Sequence, residues 1–258
     1  MFSGTGNTEY IIRKIKTGLE QHGVDLEIFY IEDTQTAEFP FGDYDSIGIA
    51  FPVHAFNAPE IVVDFAKNFP ETTGKNAFVI CTVGEYHFLN LASSKHLIKI
   101  LSKKGYGVSY EAEYTMPSNF IVKYDEKKVE RILSEANSKV PQTVADIINK
   151  VRSKRKSSFL AAAAAFIGRA EWLGTKMIGK YYYVTGSCDR CGLCAKNCPH
   201  GNIEINDAGH CFGRNCSLCM RCIYLCPRSA IKIRRPLKFF CFDTWYTNDE
   251  LVIPRKQN

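Results

Sequence analysis

At 258 residues the chain is long enough for one large domain and a small one. Its 45% hydrophobic and 23% charged content are ordinary for a globular protein and exclude a disordered or fibrous chain. The net charge of +6 is uneven: residues 1–150 hold 15 basic against 20 acidic side chains, and residues 151–182 hold seven against one. The basicity therefore lies in residues 151–235. Residues 183–235 hold eight basic against three acidic side chains beside cysteines whose thiolates would offset much of the excess, and it does not read as a nucleic-acid footprint.

The opening MFSGTGNTEY has neither the basic nor the apolar region of a signal peptide. The longest apolar run, Phe159 to Ile167, is about half what a membrane span needs. A reduced, cytoplasmic setting is expected.

Residues 1–153 alternate helix and strand signals. Gly4 to Thr8 opens a helix carrying Ile11, Ile12, Ile15 and Leu19 at helical spacing, and Gly23 stops it. Val24, Leu26, Ile28 and Tyr30 alternate as a strand, and Ser46 to Phe51 is a buried-strand run ending at Pro52. Pro59 starts a second helix, Ala77 to Val83 is another buried strand, and a helix through Leu97 and Leu101 ends at Gly105. Val108 to Tyr114 is a last strand, and Val144, Ile147, Ile148 and Val151 share a face of a final helix. Such alternation predicts a parallel sheet covered on both faces.

Ligands of such sheets bind beyond the carboxyl ends of the strands. Three loops qualify. Ser3-Gly4-Thr5-Gly6-Asn7-Thr8 is small, hydroxylated and runs into a helix, which suits a monophosphate held by N–H and hydroxyl donors. It lacks the lysine of a Walker loop and the third glycine of a dinucleotide fingerprint, and an ordinary glycine turn satisfies the same residues. The other two, Pro52-Val53-His54-Ala55-Phe56-Asn57-Ala58 and Thr82-Val83-Gly84-Glu85-Tyr86, place rings where a flat ligand would lie. Such rings also serve simple packing.

The connector, 154–182, is basic and alanine-rich. It reads as a helix with Phe159, Phe166, Ile167 and Leu173 on its apolar side. It suits a strut against the acidic first domain better than a membrane-surface or partner-docking helix.

The densest signal lies between Cys188 and Pro227. CDRCGLCAKNCP recurs 28 residues later as CSLCMRCIYLCP, and Ile203-Glu204-Ile205 recurs as Ile231-Lys232-Ile233 at the same offset. A duplicated motif with duplicated flanks is a duplicated structural unit. In a C-x2-C-x2-C-x3-C-P run, three thiolates hold one [4Fe–4S] cluster and the fourth reaches across to the other. Cys188, Cys191, Cys194 and Cys226 would hold the first cluster, and Cys216, Cys219, Cys222 and Cys198 the second. Zinc sites pair C-x2-C units across longer spacers, and a disulfide framework needs an oxidising compartment. Arg190, Lys196, Arg214 and Arg221 lie near the ligands in sequence and are expected to ease cluster reduction. Cys81, Cys211 and Cys241 match no ligand spacing and read as packing thiols.

Residues 3–8 and the β-α alternation resemble flavodoxins, and their pairing with a two-cluster segment resembles the flavodoxin–ferredoxin fusion proteins of the EFR1 type. The resemblance covers most of residues 1–235 and implies a flavodoxin-like sheet (1–153), the connector, a two-cluster ferredoxin domain (183–235) and an aromatic tail (236–258). It further implies FMN, its phosphate on Ser3 to Thr8 and its ring between residues 52–58 and 82–86. The contacts would come from Pro52, Val53, Ala55, Thr82 and Gly84, with His54, Phe56 and Tyr86 stacking.

The implied function is electron transfer between two clusters, FMN and a protein redox partner, more a carrier than an enzyme. An FMN-dependent reductase fed by its own clusters and a cluster-loss sensor are the alternatives. Flavodoxins carry an apolar strand before the phosphate loop, whereas only Met1 and Phe2 precede Ser3 here. The expectation is that the start is truncated, with weak FMN retention, or that something else fills the gap.

Overall fold

The computed structural model describes residues 1–84, 87–118 and 124–234. Its elements in chain order are α1 (Asn7–Glu20), β1 (Ser46–Pro52), α2 (Glu60–Lys67), β2 (Lys75–Val83), α3 (His87–Asn90), α4 (Lys95–Lys103), β3 (Tyr106–Thr115) and α5 (Glu126–Ile148). They continue with α6 (Phe159–Gly168), α7 (Glu171–Ile178), β4 (Tyr182–Val184), α8 (Leu193–Lys196), β5 (Ile203–Asn206), β6 (Gly209–Phe212), α9 (Arg221–Tyr224) and β7 (Ile231–Ile233).

The expected parallel sheet is present. β1 pairs with β2 and β2 with β3, all parallel, in the order β1-β2-β3. Alternate strand residues face opposite sides, so the sheet builds two cores. On one face Ile47, Ile49, Phe51, Val79 and Val108 pack against Val62 and Ala66 of α2 and Leu97 and Leu101 of α4. On the other, Ala50, Ile80, Tyr110 and Tyr114 meet Ile11, Ile15 and Leu19 of α1 and Val140 and Val144 of α5.

Residues 24–30 do not form the expected strand. A strand needs a partner ladder, and the one on offer is two residues long. The Met1 amino group bonds the Phe29 carbonyl, Ile31 N–H donates to Met1 at 2.9 Å, and Phe2 N–H donates to Ala50 of β1 at 2.9 Å. Met1 and Phe2 thus lie as a rung between this segment and the sheet, and Leu26 and Ile28 still pack on the α1 core. Val151 also departs from expectation: α5 ends at Ile148 and Val151 is exposed.

The cysteine-rich part is a small α+β unit. β4 pairs with β7 and β5 with β6, both antiparallel, around a core of Tyr182, Ile203, Met220, Ile223 and Ile231. Residues 151–182 run from the sheet to this unit, and α6 lies on the first unit as the strut reading expects. The alanine side is the buried one, however. Ala161 and Ala165 pack on Ala92, while Phe159, Phe166 and Ile167 are exposed. Alanine lets the helix approach closely, which the large side chains would prevent. Cys81 is a buried packing thiol, but Cys211 is exposed on β6 because it sits on the outward side of a two-stranded ribbon. Cys241 and the aromatic tail lie outside the described residues. No helix among the described residues is long and apolar enough to cross a membrane.

Candidate cofactor sites

The sequence repeat is also a backbone repeat. Arg190 and Leu218 both have left-handed φ, 58° and 54°, as do Gly192 and Met220 (78°, 62°) and Gly201 and Ser229 (58°, 45°). Each pair is 28 residues apart. Four of these six are not glycine, and a left-handed non-glycine residue costs roughly 1–3 kcal/mol. What the conformation gains is N–H groups aimed at sulfur. Arg190 N–H donates to Cys188 Sγ at 3.3 Å and Leu218 N–H to Cys216 Sγ at 3.4 Å. Asn202 N–H donates to Cys198 Sγ and Ala230 N–H to Cys226 Sγ, both at 3.2 Å. N–H···S bonds of this kind stabilise thiolate ligands and tune a cluster's potential.

Cys198, Cys216, Cys219 and Cys222 line one cavity with Tyr182, Phe212 and Met220. These are the four ligands expected for the second cluster, the crossing Cys198 included. In the first set, Cys194 feels the like charges of Cys188 and Cys191. Among the described residues no three His, Cys, Asp or Glu side chains converge as a single metal ion requires. Four thiols around a shared cavity suit a multinuclear cluster. Burial, then the neighbouring Cys219, pushes the Cys216 thiol up to about 12, and burial with four nearby thiols pushes Cys222 well above its usual value. Such thiols lose their protons when metal arrives.

The candidate phosphate loop is built from small residues that permit close approach. Gly6 begins α1 at φ 102° and has no side chain of its own to cap that helix. Ser3 Oγ accepts from Glu9 N–H at 3.3 Å, Thr8 and Thr82 share a hydroxyl bond at 2.9 Å, and Asn7 Nδ2 donates to the Pro117 carbonyl at 3.0 Å. These side chains brace the loop and leave the helix N-terminus as its anion-facing feature. A Cβ on Gly4 would lie 2.4 Å from the Cys219 carbonyl oxygen, so the second cysteine motif rests directly on this loop.

The loop after β1 is a tight turn. His54 and Asn57 exchange both backbone bonds, at 2.9 and 2.8 Å, with Ala55 (φ 42°) and Phe56 (φ 63°) left-handed at its tip. That shape normally selects glycine or asparagine. The connector holds it: Asn57 Nδ2 donates to the Ala165 carbonyl of α6 at 2.7 Å. A Cβ on Gly168 would lie 2.0 Å from the Ala55 carbonyl oxygen. Burial, then the charge of His200, lowers the His54 pKa to about 4, so the ring is neutral at physiological pH. Its ring meets Phe2 edge-on at 6.5 Å. Pro52 and Val53 lie beside Thr82, with Val53 N–H donating to its carbonyl at 2.8 Å, and Gly84 approaches Ser118. Glu85 and Tyr86 lie outside the described residues.

The junction of the two units turns on Arg221, whose side chain is 1% exposed. It ion-pairs with the equally buried Glu32, donates from Nη2 to the Ser3 carbonyl at 2.7 Å, and places its guanidinium 5.6 Å from the Phe2 ring. The charge also favours the thiolate of Cys219, opposing the burial that raises that thiol. Glu32, Asn57 and Gly168 carry no sequence signal for this role. Arg221 carries one: a cation between two ligands in an otherwise apolar stretch.

Residues 181–204 match the family model described as a 4Fe–4S binding domain. An RNA polymerase subunit, Rpo3 of Methanosarcina mazei, is 37% identical over 75 residues, covering 26% of this chain and 28% of that protein. The Methanosarcina acetivorans subunit is 36% identical over a match of the same extent, so the chain spans just over a quarter of the curated relatives it matches. Among solved structures, a flavodoxin of Streptococcus pneumoniae TIGR4 aligns at TM-score 0.42 with 19% identity, over 58% of this chain and 95% of that one. Flavodoxin 1 of Bacillus cereus aligns at 0.37 with 20% identity, over 55% and 93%. A flavone reductase aligns at 0.39 with 13% identity, over 81% and 72%. The chain thus joins a parallel α/β unit to a small cysteine-rich unit, of which residues 181–204 match the 4Fe–4S binding domain model.

Proposed function

We propose that this protein passes low-potential electrons between two [4Fe–4S] clusters and FMN, and on to a protein redox partner. One observation carries the proposal: the second cysteine motif is seated on the candidate phosphate loop, through Cys219 on Gly4 and Arg221 on Ser3. Cys188, Cys191, Cys194 and Cys226 hold one cluster in this reading, and Cys216, Cys219, Cys222 and Cys198 the other. The Ser3–Thr8 loop takes the phosphate, and residues 52–56 and 82–86 flank the ring. Clusters supply single electrons, whereas a flavin can hold one or two.

The residues divide the work. Backbone N–H groups of Arg190, Asn202, Leu218 and Ala230 hold negative charge on sulfur. Arg221 keeps the second ligand set against the phosphate loop, and neutral His54 adds no charge beside the ring. The reductase alternative needs a roomy pocket above the ring, and α6 closes over the turn at 54–57. That closure favours a carrier.

Anaerobic purification with iron, sulfide and flavin counting, followed by reductive titration, tests the proposal. About eight irons and one FMN per chain, with reduction passing between them, are expected. Eight irons with no flavin uptake would remove the flavin half, and four irons would remove the second cluster.

A further inference from the structure

Helix α6 uses its alanines to hold the molecule together. Ala161 and Ala165 are buried against Ala92 and Leu91, and the opposite face is bare. Phe159 is 91% exposed, Leu160 57%, Phe166 72% and Ile167 71%. Residues seven apart share a helix face, so Phe159 stands in line with Phe166, and Leu160 with Ile167. Four large apolar side chains stand out along two turns as a ridge, where soluble proteins keep such patches small.

Cations frame both ends of the ridge. Arg152, Lys154 and Lys156 are exposed just before α6, and the Arg169 guanidinium sits 5.5 Å from the Phe166 ring just after it. Arg155 is not among them. It turns inward to ion-pair with Glu113 and donates to the Asn90 carbonyl and to Ser93 Oγ. A second copy docked on the ridge would set like charges against each other whichever way the two helices ran. The ridge side chains themselves carry no hydrogen-bonding group with which to fix a particular protein.

We propose that α6 seats the protein on an anionic lipid surface. The stripe enters the headgroup–acyl boundary, and Arg152, Lys154, Lys156 and Arg169 meet lipid phosphates. This inference stands independently of the cofactor assignment.

Flotation of the full chain with vesicles of phosphatidylcholine, alone or mixed with phosphatidylglycerol, tests it. Binding to the mixed vesicles alone is expected, weakening as salt rises. Phe159→Ser with Phe166→Ser should cut that binding by about tenfold or more. Iron content and melting should not change, because neither ring is packed. Lys154→Glu with Lys156→Glu should cut it by about tenfold as well. Failure of the parent chain to bind mixed vesicles would overturn the proposal, as would binding untouched by the phenylalanine pair. A concentration-dependent dimer in light scattering that the phenylalanine pair dissolves would assign the face to a second copy. Binding to soluble polyglutamate but not to vesicles would assign it to an acidic protein. Either result overturns the lipid assignment.

Discussion

Arg221 lies between two of the proposed cluster ligands, yet its guanidinium is spent on Glu32, Ser3 and the Phe2 ring. A buried ion pair contributes little net stability, because desolvation offsets the attraction, but removing one partner strands the other. Both carboxylate oxygens of Glu32 are buried without a hydrogen bond, so Arg221 is what offsets that charge. Arg221→Met should therefore cost about 3–5 kcal/mol, and Arg221→Met with Glu32→Gln should recover much of it. Urea unfolding of both variants checks this, and equal losses would sink it. In the loaded protein, Arg221→Met should also lower the second cluster's midpoint potential in an EPR-monitored titration, since a buried cation favours the reduced cluster. Arg190→Met should do less, because Arg190 is exposed and bonds the Asn206 carbonyl.

At the scale of elements, α6 acts as a clamp on the turn at 54–57. That turn places non-glycine residues at two left-handed positions, and contacts from Ala165 and Gly168 keep it there. In an isolated helix Gly168→Ala would stabilise by up to about 1 kcal/mol. Here the added methyl would collide with the Ala55 carbonyl oxygen, so a loss of about 1–3 kcal/mol is expected in urea unfolding. A gain would show that the clamp does not hold.

The strands of the sheet were legible because β1 and β2 are buried on both faces and read as continuous apolar runs, while β3 alternates apolar and polar residues. The cysteine repeat was legible because its 28-residue offset recurs in the backbone, down to the left-handed positions. Residues 24–30 misled because alternation marks a face, whereas a strand also needs a neighbour. The α6 orientation misled because large apolar residues mark the packed side of most helices, whereas here they face outward. Alanine's small size wins where a helix must come close to a loop. Glu32, Asn57 and Gly168 could not be found from spacing, since their roles depend on what lies opposite in space.

In the whole molecule the two units share more than a tether. Gly4 meets Cys219, Arg221 bonds Ser3 and Glu32, and Lys176 of α7 reaches Glu60 of α2 at 2.9 Å. The thiols of the second motif are raised by burial and by one another, so in the proposed function iron is what would organise that motif. The contacts it makes with the phosphate loop should weaken with it. Chelating the iron under anaerobic conditions should therefore lower the melting temperature of the α/β unit as well, by roughly 10 °C or more. Circular dichroism of the α1 and α5 helices, followed beside cluster absorbance, reads both units. In the loaded parent chain the two signals should be lost together, and in Arg221→Met they should separate, the cluster going first. If the helices of the chelated protein melted where the loaded protein's do, the units would be independent and the seat on Gly4 would carry no energy.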